Sequence, residues 1–275
     1  MKLGILAEII KNMEEIRRKK PLIHNITNYV TVNDCANAVL AIGASPVMAD
    51  AAEEVEDIVA ISSALVLNIG TLNRRTAESM LTAGKKANEL QIPVVFDPVG
   101  AGASGYRNRV AERLLTELKI TVLRGNSSEI RSVAGFCAET KGVDASEADL
   151  LTGIRAGKEV AMKAAEQFGC VTAVTGPTDV ICDGKRTVLI ENGSRLLSGV
   201  TGTGCMCTSL IGAFCGAGGD PFAAAAGGVL SMSLAGELAQ EIGAGGNGSY
   251  HLSVIDQIGR LNAETLAGRA KIHEA

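Results

Sequence analysis

The sequence predicts a three-layer α/β/α sandwich with a mainly parallel central sheet, carried by a single domain over residues 1–275. Three observations lead there. Short apolar runs alternate with amphipathic helical stretches, as repeated βα units require. Apolar runs end in polar residues (Asn25, Asn68, Asp97, Arg124, Thr175), at the strand ends where such sheets bind ligands. No long Pro/Ser linker and no internal repeat divides the chain.

The elements follow in order. A charged amphipathic stretch predicts a helix over about Ile5–Lys19, and "PLIHNIT" a strand running into a loop. A helix over Val32–Ile42 precedes "SPVMAD", a short strand and loop. A helix near Glu53–Ser62 leads to "ALVLNIG", a buried strand closed by a glycine turn. Asn73–Leu90 has the apolar spacing of a long helix, and "IPVVFDPVG" is a central strand ending in an acid. A helix over about Arg107–Leu118 and the strand "ITVLRGN" follow. Asn126 or Ser127 caps a short helix containing Glu129. Ile154–Phe168 is helical, "CVTAVTG" is a strand, and "VICDGKRTVLI" is a hairpin turning at Asp183-Gly184. Three helices close the chain, about Thr203–Gly216, Pro221–Ile242 and Ser253–Leu266.

Composition narrows the function. Hydrophobic residues are 47% and aromatics 3%, so the core is built from Ala, Val, Leu and Ile. A net charge of −4 gives no pull toward nucleic acid or an anionic membrane, and neither is expected as a partner. The seven cysteines are odd in number, lack a Cys-x-x-Cys pair and share no metal-type spacing with the three histidines. They point to a reducing compartment, and the amphipathic N-terminus is no signal peptide, so a cytoplasmic location is expected. The apolar stretch Pro221–Ala239 is rich in Ala and Gly and is expected to be a buried helix rather than a membrane span.

The strongest motif is "GVTGTGCMC", Gly199–Cys207. Gly202 and Gly204 let backbone N–H groups turn toward one point, and the helix that follows adds its positive end, so the motif suits a transferring phosphoryl group. Phosphoryl transfer also needs charge neutralisation, and hard cations want oxygen ligands, often through water. Asp97 and Glu129 are candidates for that work, although a turn-capping Asp and a capping-box Glu fit the same positions. Arg124, beside Gly125, is a natural phosphate partner. "GAGASG" (Gly100–Gly105) keeps a dinucleotide-dependent oxidoreductase open, although Asp97-Pro98-Val99 separates it from its strand. "GAGGNG" (Gly243–Gly248) follows a helix and lacks that context, and no P-loop string occurs.

Five segments together resemble the hydroxyethylthiazole kinase family of the ribokinase-like superfamily. They are Pro21–Asp50, Val94–Ser104, Leu123–Ile130, Ala173–Gly184 and Gly199–Cys207, in the same order over nearly the whole chain. The resemblance implies the ribokinase-like version of the fold. It also implies phosphorylation of the alcohol of 4-methyl-5-(2-hydroxyethyl)thiazole by ATP and Mg²⁺, in thiamine salvage. It implies a homotrimer with active sites between subunits. By position, Met48, Gly202 and, more weakly, Asn25 match substrate contacts; Arg124 and Thr175 match ATP contacts; Asp97 and Glu129 match the acids serving Mg²⁺. Many superfamily members carry Asp as general base where this chain has Cys205, a departure the family itself shows. A helix N-terminus is expected to lower the Cys205 thiol, making it an auxiliary base or an orienting group in a direct in-line transfer. A related kinase for another alcohol and a non-catalytic sensor remain as alternatives.

Overall fold

A computed structural model describes residues 2–136, 147–243 and 245–275; Cys137 lies outside them. The first half of the chain alternates without interruption: α1 (Lys2–Lys19), β1 (Leu22–Ile26), α2 (Val32–Ile42), β2 (Ser45–Val47), α3 (Val55–Ala60), β3 (Ala64–Asn68), α4 (Arg74–Glu89), β4 (Val94–Asp97), α5 (Gly105–Glu117) and β5 (Val122–Asn126). The second half comprises α6 (Ser127–Val133), α7 (Glu147–Phe168), β6 (Val171–Thr175), β7 (Asp179–Cys182), β8 (Thr187–Ile190), a 3₁₀ turn (Arg195–Gly199), α8 (Thr203–Ala217), α9 (Pro221–Glu241), α10 (Asn247–Arg260), α11 (Ala263–Arg269) and β9 (Ile272–Glu274).

The described strands form one sheet in the order β2-β1-β3-β4-β5-β6-β7-β8-β9. The pairs from β2 through β6 are parallel; β7, β8 and β9 add antiparallel strands at one edge. Alternate strand residues supply the two faces. Ile23, Val66, Val95, Val122 and Ala173 face α1, α2, α8, α9, α10 and α11. Leu65, Leu67, Val94, Phe96, Leu123 and Val174 face α3 through α7. The expected three layers are therefore present.

Local chemistry sets the helix starts. Asn73 accepts from the Thr76 N–H and Thr76 answers with its hydroxyl, a capping box that begins α4. Asn126 does the same with Glu129 at α6, and Asp220 caps α9 ahead of Pro221. The end of the chain departs from expectation. The single helix expected over Ser253–Leu266 is two, because Leu261 is extended and Asn262 caps a new helix, accepting from the Thr265 N–H at 2.8 Å. Strand β9 was not expected; three residues are too few to show a period.

Helix α9 is long and apolar enough to cross a membrane, but it is largely buried inside the fold, packed against α8. A Cβ at Gly228 would lie 2.5 Å from Ile211 Cγ1 and 2.6 Å from the Ile211 backbone nitrogen on α8. Backbone cannot yield as a side chain tip does. Gly228→Ala is expected to destabilise the protein by about 2–3 kcal/mol, read as a lower urea midpoint. An unchanged midpoint would show that α8 and α9 are less tightly apposed.

Candidate active site

Strand register collects the polar ends. Asn68 on β3 pairs with Asp97 on β4, and Asn126 on β5 with Thr175 on β6, so their side chains emerge together above the sheet. The N-terminus of α8 closes over them. Asp97 is 0% exposed. Its Oδ2 accepts from the Thr208 hydroxyl at 2.7 Å and the Asn68 amide at 3.1 Å, with Arg124 Nη1 at 3.6 Å. Its Oδ1 is buried with no hydrogen-bond partner among the described residues. Burial pushes the carboxyl up to about 6; Arg124 pulls the other way and Glu129 adds to the rise.

Arg124 donates from Nη2 to the Thr175 hydroxyl at 2.7 Å. Its guanidinium lies against Gly204, where a Cβ would stand 2.7 Å from Nη1. Gly202 is the N-cap of α8, with φ +88°, in the left-handed region that a side chain disfavours. Glu129 fulfils the capping role: Oε2 accepts from the Asn126 N–H and Oε1 from the Gly100 N–H, both at 2.9 Å. It therefore ties α6 to the loop that follows Asp97. In that loop Gly102 N–H is also taken, by Asn108 Oδ1 at 2.7 Å. Two amides of "GAGASG" are thus committed within the chain, which removes the support for a dinucleotide site there.

Cys205 is half-buried, and two amides meet its sulfur: Asn28 Nδ2 at 3.2 Å and Asn68 Nδ2 at 3.3 Å. Asn28 Nδ2 also reaches Asn68 Oδ1 at 3.0 Å. One amide lattice thus runs from Asp97 through Asn68 to the thiol. The expectation of a helix-lowered thiol is overturned. Burial pushes Cys205 up from its ordinary value, the Asp97 carboxylate adds to that, and hydrogen bonds from Thr31, Asn28 and Asn68 oppose it only partly. At neutral pH Cys205 is a thiol. Cys207, two residues on, is buried and pushed up to about 12, chiefly by burial, with the Arg124 charge opposing.

The geometry brings Asp97, Glu129, Arg124, Thr175, Gly202 and Cys205 together. Two expected residues stay apart. Asn25 is buried under α8 with both ends of its amide engaged, Oδ1 by the Ser209 hydroxyl at 2.9 Å and Nδ2 on the Ile23 carbonyl at 3.0 Å. Asn28, past the end of β1, reaches the thiol instead. Met48 follows β2, three strands from Asp97, a separation of about 14 Å across the sheet. Asn28, Asn68 and Thr208 were missed as site residues. Asn68 showed only as one polar strand end among several, Asn28 as the second Asn of "HNITN".

Glycines at a helix start, a buried Arg and two acids at the mouth of a parallel sheet are the parts of a small-molecule phosphotransferase. Comparison with known proteins gives the particular family. The model of the hydroxyethylthiazole kinase family matches residues 13–264. Hydroxyethylthiazole kinase from Clostridium beijerinckii is 59% identical over 263 residues, 95% of each chain. The structure of a hydroxyethylthiazole kinase protein from Pyrococcus horikoshii OT3 superposes with TM-score 0.89 at 40% identity, covering 98% of this chain and 99% of that one. A Staphylococcus aureus pyridoxal kinase, 14% identical with TM-score 0.59 over 79% of this chain and 88% of its own, shares the ribokinase-like fold. The chain belongs to the hydroxyethylthiazole kinase family.

Proposed function

We propose that the chain, acting as one kinase domain over residues 1–275, transfers the γ-phosphoryl of ATP to the hydroxyl of 4-methyl-5-(2-hydroxyethyl)thiazole, in thiamine salvage. Transfer is direct and in line: the alcohol oxygen attacks as the bond to the ADP oxygen breaks, and the hydroxyl proton is released to solvent. The observation that carries this reading is the apposition of the Gly202–Gly204 cradle with Arg124 and Asp97. Backbone N–H groups and the α8 dipole hold the phosphoryl group, Arg124 neutralises its oxygens, and Thr175 orients Arg124. ATP consumption with the thiazole alcohol present and absent, at defined Mg²⁺, tests it; equal rates would overturn it. Retention of configuration at a chiral γ-phosphorus would overturn the in-line step.

The residues fit Mg²⁺. Asp97 Oδ1 is a buried oxygen without a partner among the described residues, and Glu129 lies close enough to raise the Asp97 carboxyl. Two acids are too few for an all-protein cage, and Mg²⁺ normally keeps waters and phosphate oxygens beside one or two carboxylates. When bound, it neutralises charge on the phosphoryl oxygens. Because the folded Asp97 titrates near 6, it is ionised at pH 7 and mostly protonated at pH 5. The free Mg²⁺ needed for half-maximal turnover, at fixed MgATP, is expected to rise about tenfold between pH 7 and pH 5. A flat requirement would remove Asp97 from the cation site.

Cys205 acts here as the group that orients the attacking hydroxyl. Cys205→Asp is expected to keep at least about a tenth of wild-type kcat, because it places a carboxylate base at the same point. Complete loss in a folded, ATP-binding variant would refute the assignment.

The partner arrangement follows from the same reading. Met48 sits at the β2 edge, and Tyr29, Val30 and Leu40 in neighbouring segments are 78%, 56% and 57% exposed. A homotrimer that covers this edge would bring Met48 to a cluster on another copy. A cytoplasmic enzyme fits the family's metabolic role and the free thiols described.

A further inference from the structure

Helix α10 packs against α9 and α2, and "GAGGNG" runs into its start. Two of its residues touch the cradle segment or the helix beside it. Asn247 Nδ2 donates to the Gly199 carbonyl at 3.0 Å, where the 3₁₀ turn enters the cradle. His251, one turn further on the same face, has Nε2 3.1 Å from Asp34 Oδ1 on α2. That ring nitrogen is buried, and although it lies within ion-pair distance of Asp34 it makes no hydrogen bond among the described residues. Asp34 in turn lies against the cradle. A Cβ at Gly202 would stand 3.3 Å from Asp34 Oδ2 and 2.9 Å from Thr31 Cγ2.

Asp34 is in the first turn of α2, where an acid favours the helix dipole, yet no side chain caps that helix. One oxygen of its carboxylate lies toward His251 and the other toward Gly202. An unpaired carboxylate beside an anion cradle repels the group the cradle must hold. The His251 ring, 3.1 Å from Asp34 Oδ1, offers that charge a partner from α10 when protonated.

We propose that Asn247, His251 and Asp34 form a brace on the outer side of the cradle, with His251 the positioning residue that keeps the Asp34 charge away from the transferring phosphoryl group. The brace rests on the cradle reading above. It acts through Gly202 and touches no reacting atom.

The test is a set of variants assayed for ATP turnover and melting temperature. His251→Ala is expected to lower kcat about tenfold, with KM for the thiazole alcohol within about twofold of wild type. His251→Gln offers Asp34 an amide donor and is expected to return kcat to within about threefold. Asp34→Asn combined with His251→Ala removes the stranded charge and is expected to be faster than His251→Ala alone. Wild-type kcat in His251→Ala, or a double variant no faster than the single one, would overturn the brace. Gly202→Ala separates the two readings. If it turns over ATP normally, the cradle itself is wrong; if it is inactive while His251→Ala is normal, only the brace is.

Discussion

Asp97→Asn is expected to lower kcat about a thousandfold at saturating ATP, without lowering the melting temperature at pH 7. The substitution keeps the shape of the side chain, and the Asn oxygen still accepts from Thr208. It removes one negative charge from beside Arg124 and the phosphoryl cradle. The stability sign comes from the titration. The folded Asp97 titrates near 6, above the value of 3.8 for an unperturbed carboxyl, so the folded state binds its proton more tightly than the unfolded one. That contribution favours folding at low pH and fades as pH rises from about 4 to 6. Above 6 the ionised carboxylate is a net burden on the fold, which Asn relieves. Activity and stability therefore move apart, as they do where a site is strained for function. Turnover within tenfold of wild type at ordinary Mg²⁺ would show that Asp97 is structural.

Gly204→Ala is expected to lower kcat/KM for ATP about a hundredfold while leaving the fold intact. The new methyl would lie 2.7 Å from Arg124 Nη1, so the guanidinium must move from Asp97 and from the Thr175 hydroxyl. Only the tip of a side chain has to shift, so folding is spared. Ala within α8 also favours the helix over Gly by about 1 kcal/mol. Calorimetry with ADP and a urea titration check both halves. A wild-type affinity for ADP would place Arg124 outside the nucleotide site; a large loss of stability would mean that Gly204 serves packing instead.

Much of this protein was legible before any coordinates. The alternation of apolar runs and amphipathic helices specified a parallel sheet covered on both faces, because a strand buried on both sides and a helix buried on one leave different periods. Asp97, Arg124 and Thr175 stood out as polar residues ending such strands, and Gly202 and Gly204 as glycines opening a helix. Asn25 is engaged with Ser209 under α8, and Asn28 is the amide that meets the thiol. The two look the same in sequence, and only the point at which β1 ends decides which amide reaches the thiol. Strand β9 and the break at Leu261 were invisible for a related reason: each depends on one or two residues meeting a partner far along the chain.

The sequence by itself determined the layers, the strand ends that carry polar groups and the helix start opened by two glycines. These follow from local period and capping, which need no knowledge of distant contacts. Tertiary structure alone decided which amides surround Cys205, the protonation of its thiol and the pairing of Asp34 with His251. Burial and charge at a point are sums over groups brought from α2, β3, β4, α8 and α10, and no single stretch of chain contains them.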